Sequence, residues 1–196
     1  MELQVGGLKI EFVKVGDRFS HKLTVERDGL WSTILESIEG TDEENWPASP
    51  PLQQIVAEPI GKDGRLVLLG VGLSGTGHWS ISVDENGSGG LLLDVACRVS
   101  GEHGFLGSTW RLSRDWHVSQ QEKPCKVGDL ILRSNDDRQS IEVSSVHGDL
   151  DYENADVTSS SVTLIHAPET RVISKPTGWD LYPKPQRWAV RCRVVA

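Results

Sequence analysis

His78-Trp79-Ser80-Ile81-Ser82-Val83-Asp84, then the turn Asn86-Gly87-Ser88-Gly89-Gly90, then Leu91-Leu92-Leu93-Asp94-Val95-Ala96-Cys97-Arg98-Val99: this stretch decides the fold class. Strand side chains alternate with a period of two, so Trp79, Ile81 and Val83 share one face and His78, Ser80, Ser82 and Asp84 the other. The glycines after Asn86 supply the positive φ that a tight reversal needs. Alternation then resumes with Leu93, Val95, Cys97 and Val99 on one side. A slip of one residue would turn every apolar side chain to the wrong face, so the pattern selects a single register. It sets Val83 opposite Leu93, Ile81 opposite Val95 and Trp79 opposite Cys97. On the reverse face Ser82 meets Asp94, Ser80 meets Ala96 and His78 meets Arg98.

Outward from this hairpin the chain repeats the same grammar. Leu8 to Val15, the segment carrying Phe19, Leu23 and Val25, and Leu30 to Ile38 read as a meander joined at Gly16-Asp17 and Arg27-Asp28-Gly29. His21 falls on the apolar side, as a core histidine. Leu52 to Ala57 and Arg65 to Leu73 are two further strands around Lys62-Asp63-Gly64, and Leu66-Val67-Leu68-Leu69 reads as buried on both faces. Ser108 to Leu112, Leu130 to Leu132, Ile141 to Val143, Val162 to Ile165, Val172-Ile173 and Trp188 to Val195 continue the series. Short helical turns are expected only around Ser119 to Lys123. The expected fold is all-β with few or no helices: a large antiparallel β-sandwich, or its larger supersandwich variant, in a single domain over residues 1–196. Val95-Ala96-Cys97-Arg98-Val99 and Val190-Arg191-Cys192-Arg193-Val194 share a Val-x-Cys-Arg-Val pattern, which suits similar positions on neighbouring strands.

Two proline-rich loops interrupt the strands. Gly40 to Pro51 holds three carboxylates, three prolines and Trp46, and Pro176 to Pro185 holds Trp179. Either tryptophan can anchor its loop on the core or offer a stacking surface beside the sheet. Seven tryptophans against three phenylalanines and two tyrosines leave both uses open.

Composition narrows the function classes. Twenty Lys and Arg against 28 Asp and Glu give a net charge of −8, without the basic run that nucleic acid or an anionic membrane requires. The first residues lack a basic segment followed by an apolar one, and no apolar stretch could span a bilayer, so a soluble, cytoplasmic protein is expected. Cys97, Cys125 and Cys192 have no partners at zinc-ligand spacing, which suits reduced thiols and no metal. Asp149 to Asp156 begins like a calcium loop but lacks the glycine and terminal glutamate, and reads as a solvated acidic loop. No cofactor motif is present: the glycines at 70, 72, 75 and 77 are not followed by Gly-Lys-Ser/Thr.

What remains is the polar side of the central hairpin. His78, Asp94 and Arg98, extended by Arg111 and flanked by Trp46 and Trp179, make the candidate ligand site. The plainer alternative is a solvated sheet face with an Asp94–Arg98 ion pair along one strand. The expected function is a non-catalytic domain binding a carbohydrate or similar polar small molecule. The alternative is a small carbohydrate-active enzyme of the mutarotase or epimerase type, with His78 as acid/base, Asp94 or Arg98 tuning it and Arg98 holding substrate. A structural or assembly domain using its sheet edges is the third reading. The sequence leaves oligomeric state open.

Overall fold

The central hairpin adopts the register its alternation requires. In the computed structural model, which describes residues 1–99, 103–119, 129–147, 149–155, 159–165 and 186–195, Trp79 lies opposite Cys97, Ile81 opposite Val95 and Val83 opposite Leu93. His78, Ser80 and Ser82 lie opposite Arg98, Ala96 and Asp94. The reversal is an Asn-built turn. The Asn86 side-chain oxygen accepts from the Ser88 and Gly90 amides at 2.9 and 3.1 Å, and Gly87 and Gly89 take φ of +72° and +76°.

Among the described residues fifteen strands form two antiparallel sheets, and no helix occurs. The first sheet has seven strands in the order β1 (Glu2–Val5), β2 (Leu8–Val15), β3 (Arg18–Arg27), β4 (Leu30–Ser37), β9 (Gly107–Leu112), β14 (Ser159–Ile165), β13 (Asp149–Ala155). The second has eight: β10 (Trp116–Val118), β11 (Asp129–Ser134), β12 (Ser140–His147), β15 (Gln186–Val195), β8 (Leu91–Val99), β7 (Gly77–Glu85), β6 (Arg65–Ser74), β5 (Leu52–Ile60). The fold is a large antiparallel β-sandwich, and both sheets draw strands from both halves of the chain. β8 and β15, which carry the repeated Val-x-Cys-Arg-Val pattern, are neighbours with both cysteines buried.

Between the layers, Leu8, Ile10, Phe12, Leu23, Val25 and Ile34 of the first sheet meet Trp79, Ile81, Val83, Leu93, Val95, Trp188 and Val190 of the second. Four of the seven tryptophans are thereby core residues: Trp79, Trp110, Trp116 and Trp188. Trp79 and Trp188 stack edge to face at 5.8 Å, and the Trp188 indole donates across the layers to the Ser108 hydroxyl at 3.0 Å. The layers leave a void of only about 10 Å³ beside His21 and Cys192, too small for a ligand.

Several local expectations change. The acidic run at 149–155 is strand β13, paired along its length with β14, rather than a loop. β1 and β10 have four and three residues, too short to show a period. In the apolar run, Val67 and Leu68 are buried on opposite faces, but Leu66, which shares the inner face with Leu68, is 41% exposed near the start of the strand. Most of the expected helical turn after Ser119, the strand at Val172-Ile173 and the loop Pro176–Pro185 lie outside the described residues.

Candidate functional site

The hairpin register places His78, Asp94 and Arg98 on the outer face of the second sheet, but their interactions differ from the expected ones. Asp94 does not pair with Arg98 along β8. It accepts two hydrogen bonds from the Arg187 guanidinium of β15, one at 2.7 Å from Nε. β15 lies directly beside β8, so this diagonal pair is closer than a same-strand neighbour. With Asp94 committed to Arg187, His78 has Arg98 as its cross-strand neighbour. Arg111 is separated from all three. It sits on β9 of the first sheet, in register with Glu36 of β4 and in the same row as Lys22 of β3, and the three line an open groove of about 440 Å³.

Trp46 serves as the anchor of its loop. It is half-buried against the core and meets the His103 ring edge to face at 6.1 Å. The loop is tied at both ends: the Thr109 amide donates to the Ala48 carbonyl at 3.0 Å, and the Ser74 hydroxyl to the Glu44 carbonyl at 2.6 Å. It therefore bridges the first sheet and the β6–β7 turn. Trp179 lies outside the described residues.

Another concavity, which the sequence did not reveal, lies between the two sheets' turns. A cleft of about 270 Å³ opens where the β3–β4 hairpin meets β10 and the β11–β12 turn. Arg27, Asp115, Trp116, Asn135, Asp136 and Gln139 are among its walls. Its geometry is fixed by hydrogen bonds between segments distant in sequence. Arg27 donates to Asp136, the Ser134 hydroxyl donates to the same carboxylate at 2.7 Å, and Gln139 reaches the Glu26 carbonyl at 3.0 Å. Asn135 holds the neighbouring strand twice, through its amide to the Asp115 carbonyl and its side chain to the Arg114 carbonyl, both at 2.9 Å. The Ser134 hydroxyl and the Arg27 guanidinium pull the Asp136 carboxyl down to about 2. It is a permanently ionised acceptor.

A second polar group is buried at the end of the core. His21 is 2% exposed; its Nε2 accepts from the Trp110 indole at 2.8 Å, and its Nδ1 has no partner among the described residues. Burial lowers this imidazole to about 4, so it is neutral at physiological pH. Its backbone amide donates to the Ser37 hydroxyl at 2.8 Å, which in turn donates to Glu39. Desolvation raises Glu39 to about 7, opposed by that hydrogen bond and by nearby Arg18. Cys97 and Cys192 are buried free thiols that burial pushes up to about 12, a poor state for nucleophile or metal ligand.

No protein-family model, curated protein or solved structure matches this chain.

Proposed function

We propose that this protein is a non-catalytic binding domain for a polyhydroxylated ligand, a carbohydrate, held in the cleft formed by Arg27, Asp115, Asn135, Asp136 and Gln139. The observation that carries the reading is this convergence: two carboxylates, two amides and a guanidinium around about 270 Å³, braced by hydrogen bonds among the β3–β4, β10 and β11–β12 segments. Sugar hydroxyls are both donors and acceptors, and such a set offers each a fixed partner without an ordering cost at binding. Asp136, held ionised at about 2, is an acceptor for ligand hydroxyls and not a general acid near neutrality.

A glycan array followed by calorimetry on the best ligand tests the reading. Asp115→Asn is the informative variant, since the Asp115 backbone, not its side chain, carries the contact to Asn135. Losing one charged acceptor should weaken binding about tenfold or more, with unchanged thermal stability. A protein that retains no glycan, or an Asp115→Asn variant that binds as wild type, rejects the cleft as the saccharide site.

A further inference from the structure

We propose that the outer face of the second sheet, over β5 to β8, is a self-association surface that receives the same face of a second copy of this chain. This face lies at the opposite edge of the sheet from the β10–β12 side of the cleft. The β5–β6 side of it is apolar. Val56, Val71 and Leu73 are 47%, 50% and 48% exposed, and half-buried Leu69 lies opposite Val56. A contiguous apolar stripe rimmed by polar residues is the mark of an interaction surface rather than of a solvated sheet.

Charge placement identifies the occupant. Glu58 and Arg98 are exposed, and neither has an ion-pair partner among the described residues. They stand at opposite corners of the face. Glu58 on β5 lies in the row of Val67 and Asp84, and Arg98 on β8 in the row of His78 and Leu73. Three strand spacings and six residues of rise separate them, roughly 25 Å. A two-fold axis lying in the face, midway between these corners, passes between β6 and β7 beside Leu69 and Val71. It sets Arg98 of one copy over Glu58 of its partner, and Glu58 over Arg98, with the apolar stripe toward the centre. Isologous pairing satisfies both charges with one contact type, as closed dimers require.

Sedimentation velocity over a concentration series reads the result. Wild type should dimerise, and Val71→Lys should raise the dissociation constant at least tenfold by setting a charge at the centre. Arg98→Glu and Glu58→Arg should each weaken the dimer about tenfold, while the double exchange restores it to near the wild-type value. A chain that stays monomeric up to about 0.2 mM overturns the proposal. So does a dimer indifferent to Val71→Lys and to the charge exchange, because it then forms through another face. All three substitutions lie on the exposed face, so matched melting temperatures separate lost association from lost folding.

Discussion

At the scale of single residues, buried His21 and half-buried Glu39 give this fold an unusual dependence on pH. The folded state holds His21 at about 4 against an ordinary 6.5, so below 6.5 the unfolded chain takes up a proton that the folded chain refuses. Stability therefore falls as pH drops from 6.5 toward 4. Glu39 has the opposite sign. Folded, it keeps its proton up to about 7, whereas unfolded it releases it near 4.5, so its contribution is lost as pH rises through that window. Each effect amounts to about 3 kcal/mol. They oppose each other between pH 4.5 and 6.5, and denaturation midpoints of the wild type should be nearly flat there. Glu39→Gln removes one side of the balance. Its midpoint should climb with pH from 4 to 6.5, as His21 alone dictates; a variant as flat as the parent would show that the imidazole is not held neutral by its burial. His21 itself was legible as a core position, from its place on the apolar side of β3. The hydrogen-bond link from its backbone amide to Glu39 through Ser37 was not, because it depends on where the loop after β4 runs.

At the scale of strands, hairpins were readable where alternation met glycine turns, and the central register follows from sequence alone. What sequence could not supply was which strands adjoin. Arg187, the true partner of Asp94, stands 93 residues away. Arg111 shares the alternation of a wet face but belongs to the other sheet, and the cleft arises where turns of both sheets meet, a proximity that neither turn's own sequence reveals. The edge of the second sheet shows a similar non-local device. β5 bulges at Gln53, whose side-chain amide donates to the Leu73 carbonyl and accepts from the Leu73 amide, both at 2.9 Å, in place of a backbone partner. Gly72 makes this possible, since a Cβ there would lie 1.8 Å from the Pro51 carbonyl oxygen. Further along, Pro59 lacks an N–H and can face Leu66 only with its nitrogen turned away from β6, so it also removes a donor from the open edge. Gln53→Ala should leave global stability within about 1 kcal/mol of wild type but speed exchange of the Leu73 amide about tenfold. Unchanged exchange at Leu73 would mean that the side chain does not stand in for the strand.

At the scale of the molecule, the second sheet is completed by its last strand. β5 to β8 form one meander and β10 to β12 another, and β15 is the strip hydrogen-bonded to both, to β8 on one side and β12 on the other. It also carries Trp188, Val190 and Cys192 into the core, none more than 3% exposed. At about 1.5–3 kcal/mol for each large apolar side chain, β15 supplies a large share of the 5–15 kcal/mol that typically separates folded from unfolded domains. A chain ending at Pro185 should therefore lose cooperative unfolding, together with the near-ultraviolet signal of the Trp79–Trp188 pair. Without β15, two apolar meanders would present open edges at β8 and β12, and aggregation is the expected fate. A peptide spanning Gln186 to Ala196, added in trans before the truncated chain aggregates, should restore both the signal and cooperative melting, with a rate first order in peptide. Closure of this kind joins strands remote in sequence, so in the intact chain it belongs late in folding, and Val190→Ala should speed unfolding far more than it slows folding. A truncated chain that melts cooperatively with the native tryptophan spectrum would show instead that the two meanders close the sandwich without their bridge.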